Sequence, residues 1–246
     1  MEERDKGIVP EYRGEGAACL ETASGYKVKE LYSPADLNGQ DYYHDLNHPG
    51  EYPYTRGIHQ NMYRERFWSK RFFVGLPTAK ESNQRFKELI RQGQTGIIIV
   101  PDNPGHMGLD PDHPRAQAHC GVTGTPMYSL ECMEELFEGI PLENIAVDLR
   151  GDPSVAAVSE LAQYIAFTEN AGFDIRKLRG SLISNPIHCQ FAMNWDICNP
   201  LDLGIKLCVD GIEFCTHNMP LWHPLCIAGY DMRELGINAV QELAFS

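Results

Sequence analysis

No CxxC pair occurs among the 8 cysteines of this chain, which are scattered as Cys19, Cys120, Cys132, Cys189, Cys198, Cys208, Cys215 and Cys226. That excludes a ribbon-type zinc site and gives no disulfide frame, so the thiols read as reduced, in a cytoplasmic setting. No apolar run approaches a membrane span; the longest strand core is Gly96-Ile97-Ile98-Ile99-Val100. No apolar segment follows Met1-Glu2-Glu3-Arg4-Asp5-Lys6, so no secretory signal is expected. Basic charge is scarce: Asp+Glu number 34 against Lys+Arg 21, a formal charge of -13. An acidic surface argues against nucleic acid or an anionic membrane as the main partner. What remains is ordinary globular composition, with 43% hydrophobic residues, enough to exclude wholesale disorder over the 246 positions.

Residues 1–55 hold Gly, Pro, Asp, Asn and Tyr without a sustained period and are expected as an extended arm lying on another surface. Residues 56–246 form the second expected domain. From residue 69 a rhythm begins. A strand at 70–74 precedes Thr78-Ala79-Lys80-Glu81, a capping box opening a helix that ends near Gly93. A strand at 95–100 follows, then a helix capped by Ser129 and stopped by Gly139, and a strand at 144–149. Asp152-Pro153 supplies an N-cap and N1 proline for a helix ending at Gly172. A strand at 180–184, a helix with Ile205, Val209 and Ile212 on one face, a strand at 225–229 and a helix from Met232 complete the pattern. Strands alternating with helices predict a parallel sheet, doubly wound or barrel. Val74-Gly75-Leu76-Pro77-Thr78 after the first strand has no GxGxxG turn, which favours an incomplete (β/α)8 barrel of about five βα units. Barrel chemistry sits at strand C-terminal ends, here Phe73, Asp102, Arg150, Asn185 and Asp231.

Several blocks resemble the methylmalonyl-CoA mutase family. They include Tyr52-Pro53-Tyr54-Thr55-Arg56-Gly57-Ile58-His59, Met62-Tyr63-Arg64, Arg66-Phe67-Trp68 and Thr78-Ala79-Lys80-Glu81-Ser82-Asn83. Gly108-Leu109-Asp110-Pro111-Asp112-His113-Pro114, Glu135-Leu136-Phe137-Glu138-Gly139-Ile140-Pro141-Leu142 and Met219-Pro220-Leu221-Trp222 continue the match in collinear order over about residues 21–246. The resemblance implies an adenosylcobalamin-dependent carbon-skeleton rearrangement of an acyl-CoA, catalysed by an isomerase whose barrel is threaded by the CoA arm. His59, Met62, Arg66, Ser69, Arg71 and Ile98 fall at positions implied to contact the CoA ester. Guanidinium forks suit its phosphates, although surface ion pairing would account for Arg66 and Arg71 as well. Pro101, Thr123, Met193 and Asn194 fall at cobalamin-facing positions.

Three catalytic positions depart from the family. Phe73 stands where a tyrosine wedges the substrate toward the corrin, keeping the ring and losing the hydroxyl; a plain core aromatic fits the spacing equally. Asn194 stands where an arginine pairs with a substrate carboxylate, and an amide cannot replace that pair. Together these resemble the isobutyryl-CoA branch, whose acyl group is neutral. Asp231 stands where a histidine donates to the thioester carbonyl; an ionised aspartate cannot donate. The family's DxHxxG cobalt-ligating motif is absent from these residues, and the resemblance implies a second polypeptide with the remaining barrel and cobalamin domain, or a homo-oligomer. A non-catalytic CoA-binding scaffold subunit is the alternative reading. A third is an unrelated barrel enzyme with Asp102, His106 and Asp110 as a metal set, but Gly105 and Gly108 make that stretch equally a plain loop. No metal ligand is assigned.

Overall fold

The computed structural model describes residues 20–29, 32–37, 39–65, 67–151, 154–190 and 200–246. The chain divides into two units, Met1–Met62 with Asn238–Gln241, and Tyr63–Ile237 with Glu242–Ser246. In the first, strands β1 (Leu20–Glu21) and β2 (Lys27–Val28) form an antiparallel hairpin. A 3-10 turn at Pro34–Leu37 and one π turn at Tyr42–Leu46 follow. The Asp41 side chain accepts from the His44 N–H at 2.8 Å and starts the latter. Tyr42 and Tyr43 meet edge-on at 5.1 Å, and the Arg56 guanidinium lies 5.2 Å from the Tyr42 ring centre.

The second unit runs β3 (Phe73–Val74), α1 (Ala79–Arg91), β4 (Gly96–Ile99), α2 (Asn103–His106), α3 (Leu130–Phe137), β5 (Ala146–Leu149), α4 (Ser154–Asn170), β6 (Gly180–Ile183), α5 (Pro186–His188), α6 (Leu201–Asn218), β7 (Trp222–Cys226) and α7 (Gly229–Glu234). Helix α8 (Ala239–Phe245) follows. Two of the three expected side-chain caps form within the described residues. Thr78 Oγ1 accepts from the Glu81 N–H at 3.1 Å, and Ser129 Oγ accepts from the Cys132 N–H at 3.2 Å. The expected Asp152-Pro153 cap lies outside the described residues.

Strands β3 to β7 pair in parallel and in sequence order, with no reversal. Helix α1 packs on α3, α3 on α4 and α4 on α6, a single layer on one face. A doubly wound sheet would reverse its strand order and carry helices on both faces. This is the arrangement of an incomplete (β/α)8 barrel. The core lies between sheet and helices. Ile97, Ile99, Val147, Leu149 and Leu182 meet Phe86, Leu136, Leu161 and Tyr164 there.

At Gly180 a Cβ would lie 2.1 Å from the Val147 carbonyl oxygen and 2.3 Å from Cζ3 of Trp222. Only glycine lets that indole close the core over β6. Trp222 is also why the last strand starts earlier than expected, at 222 rather than 225: its ring is a core residue, and Pro224 is tolerated because β7 is an edge among the described residues. The helix expected from Met232 is two helices, divided at Gly236, whose φ is +97°.

Candidate active site on the inner sheet face

The face turned away from the helices carries a row set by register. Phe73 pairs with Ile98, Ile98 with Asp148, Asp148 with Ser181, and Ser181 with His223. Alternation along each strand places Arg71 and Arg150 on the same side as Phe73 and Asp148. Arg71 finds room because position 96 is glycine: a Cβ there would lie 2.9 Å from both Cγ and Nε of Arg71.

Asp148 is only 7% exposed and sits between the two guanidiniums, with Oδ2 at 3.7 Å from Arg71 Nη1 and 3.8 Å from Arg150 Nη2. These are ion pairs without close hydrogen-bond contact. Asp148 Oδ1 and Arg150 Nε are buried without a hydrogen-bond partner. Burial pushes the Asp148 carboxyl above its ordinary range, against the opposing pull of Arg150, Arg71 and Ser181. Phe73 is 62% exposed, and Cζ of Arg150 stands 4.4 Å from its ring centre. The group therefore holds two cations and one carboxylate beside an open aromatic ring.

The loop after β4 builds the rim. Asp102, fully buried, accepts from the Gly105 N–H at 2.9 Å and the Gly121 N–H at 2.7 Å, and from the Tyr128 hydroxyl. Burial and that carboxylate hold the Tyr128 hydroxyl well above the usual phenol range. Both Asp102 oxygens are thus used to tie the loop together. Among the described residues no three His, Cys, Asp or Glu side chains gather as a metal would require. Pro101 pairs with Thr125 in a single parallel bridge, and Gly124 lies too close to the Pro101 carbonyl for any side chain.

With this geometry in place, comparison with known proteins decides the lineage. A model of the family described as methylmalonyl-CoA mutase matches residues 21–246. The chain belongs to the methylmalonyl-CoA mutase family. It is 36% identical to the methylmalonyl-CoA mutase of Cereibacter sphaeroides over 92% of its own length and 31% of that protein. It is 35% identical to the 2-hydroxyisobutanoyl-CoA mutase large subunit of Aquincola tertiaricarbonis, covering 92% of itself and 39% of the relative. For the mitochondrial methylmalonyl-CoA mutase of Homo sapiens the values are 35%, 92% and 29%. The chain spans about a third of the length of these mutases.

The mutase positions singled out in the sequence fall in different places. Phe73, Ile98 and Arg71 come together on the inner face. Ser69 is exposed just before them. His59 and Met62 belong to the first unit, where both are exposed and Met62 lays its thioether over Gly57. Thr123 is exposed on the rim loop, its hydroxyl accepting from the Asn103 N–H at 3.2 Å. Pro101 is buried beneath the same loop. Arg66, Met193 and Asn194 lie outside the described residues. Asp231 is half-buried in the first turn of α7, five positions past the end of β7 rather than at a strand tip, because the strand ends at Cys226. Asp148 was missed in the sequence; its signal was a single acid at an alternating position in the apolar run Ala146-Val147-Asp148-Leu149. No helix among the described residues is long and apolar enough to cross a membrane.

Proposed function

We propose that this chain is the acyl-CoA-binding catalytic portion of an adenosylcobalamin-dependent acyl-CoA mutase, acting on a methylmalonyl-CoA or isobutyryl-CoA type ester. The observation that carries the reading is Phe73, an open ring one residue before the C-terminal end of β3, on the inner sheet face, in a chain matched to the mutase family almost throughout. A parallel barrel gathers its chemistry at that end. Adenosylcobalamin, when bound, supplies the radical chemistry of the rearrangement. The exposed apolar side chains of Phe73, Leu76 and Val122, with the Thr123 hydroxyl, offer a surface suited to the edge of a large, mainly apolar ring system. Pro101 is too buried to take part, and no described residue is assigned as cobalt ligand.

In this reading Phe73 orients the acyl group and excludes water from it. His59, Met62, Ser69, Arg66 and Arg71 hold the CoA chain and phosphates, and Asp231 takes the place beside the thioester. The remaining barrel and the cobalt-ligating part come from further polypeptide, on this chain or another; the Aquincola relative is itself named a large subunit. One observation favours a second reading, a non-catalytic CoA-binding scaffold. Asp231 replaces the expected donor with a carboxylate, which accepts but does not donate when ionised.

Calorimetry of CoA and acyl-CoA binding to the complete enzyme tests the assignment. Arg66→Ala with Arg71→Ala should weaken CoA by about tenfold or more, the scale of one or two charge-assisted hydrogen bonds. Unchanged affinity would refute it.

A further inference from the structure

The sequence accounts for cations near the acyl group at two positions only, Phe73 and Asn194, and finds none. The structure supplies one from a third strand. Arg150 leaves the end of β5, returns to the inner face and lies over Phe73. We propose that Arg150 is a specificity-determining residue of the acyl end, receiving a carboxylate carried by the substrate, with Asp148 positioning its guanidinium and Phe73 serving as the plate beneath it. This rests on the acyl-CoA reading above and narrows it to dicarboxylic acyl thioesters.

Four observations converge. First, place: Arg150 stands just past the C-terminal end of β5, beside the ring assigned to the acyl group, whereas Arg71 sits two residues before Phe73, deeper along the strand direction. Second, charge: Arg71 and Arg150 share one carboxylate, so the group retains a net positive charge even with Asp148 ionised. Third, unspent donors: the contact to Asp148 is 3.8 Å, too long for a hydrogen bond, and the side chain is a quarter exposed. A planar guanidinium is the group that a carboxylate engages with two parallel hydrogen bonds, here through its two terminal nitrogens. Fourth, orientation: the Phe73 face and the Asp148 oxygen hold the guanidinium from two sides, which reduces the ordering cost when a ligand binds.

A purely structural Arg150 would bind no ligand and would not distinguish acyl groups. The test therefore compares esters. With the complete enzyme, dissociation constants of methylmalonyl-CoA, isobutyryl-CoA and free CoA are measured by calorimetry for the native protein, Arg150→Gln and Arg150→Lys. The native enzyme should bind methylmalonyl-CoA about ten- to a hundredfold more tightly than isobutyryl-CoA. Arg150→Gln should abolish that difference while changing the isobutyryl-CoA and free CoA values by less than about threefold. Arg150→Lys, which keeps the charge and loses the fork, should retain part of it. Equal or tighter binding of isobutyryl-CoA by the native enzyme overturns the proposal without recourse to any variant, and so does an Arg150→Gln effect equal for all three ligands. Failure of the native enzyme to bind any of the three would instead remove the acyl-CoA reading itself.

Discussion

Replacing Gly180 with alanine places a methyl group where the fold has no space, and the two obstacles differ in kind. One is the Val147 carbonyl oxygen, 2.1 Å from the new Cβ; the other is the Trp222 indole, at 2.3 Å and 2.5 Å. An indole can swing. A carbonyl on the neighbouring strand cannot, because β5 is held on its other side by β4. Overpacking of a rigid core commonly costs about 1–3 kcal/mol, and displacing a Trp side chain from a core costs about 3–5 kcal/mol. Trp222 is 4% exposed and its ring lies tilted against Tyr164 with centres 5.3 Å apart, so partial displacement brings the expected loss to about 2–4 kcal/mol. For a domain of this size that lowers Tm by about 5–15 °C. Scanning calorimetry of the complete enzyme reads the shift. A double-mutant cycle with Trp222→Leu then separates the obstacles. If the carbonyl dominates, Gly180→Ala should cost nearly as much in the Trp222→Leu background. Full rescue by the smaller side chain would refute the argument and show that the indole alone requires glycine. The strand pair under pressure is also the one that sets Asp148 against Ser181, so substrate affinity should fall with stability.

Two further outcomes are expected. Asp148 faces Arg71, Arg150 and Ser181, with His223 beyond Ser181 in the same row, and its folded-state pKa is raised above the ordinary 3.8, so the folded protein binds more protons there than the unfolded chain does. Its contribution is therefore full below about pH 3.8 and is lost as pH rises through the raised value; Asp148→Asn should remove that slope, making the Tm difference from native grow as pH rises from 3.8 through the raised value, and a difference constant with pH would refute it. Asp231→His should raise turnover of the complete enzyme with its preferred acyl-CoA, by up to about a hundredfold if a carbonyl donor is restored; a fall in steady-state rate would give Asp231 a role of its own.

Much of the fold was legible because its signals are local. Thr78 and Ser129 announce their helices through a hydroxyl three residues ahead of an acidic turn, and both caps form as that spacing requires. Strand limits were less legible because edges lack a partner. Residues 70–72 have strand composition, yet only Phe73–Val74 pairs in full with β4. The early start of β7 depends on Trp222 filling space above Gly180, a contact between residues distant in sequence. The site shows the same division. Family blocks located Phe73, Arg71 and Ile98, which register then joins. Asp231 was placed at a strand tip because the last strand was read three residues late. Arg150 was visible at a strand end but had no role, since its meaning lies in the ring of β3 and the carboxylate two residues before it.

Each strand of the large sheet pairs only with the strand before it and the strand after it. Among the described residues each β-pairing closes over one intervening helical connection, so a strand can dock once its predecessor and that connection have been made. On a ribosome, where amino-terminal segments emerge first, β3 and β4 can meet while β7 is still being made. Among the described residues β7 is the last strand of an ordered stack to be made, and its outer edge presents backbone groups in the geometry of a parallel ladder.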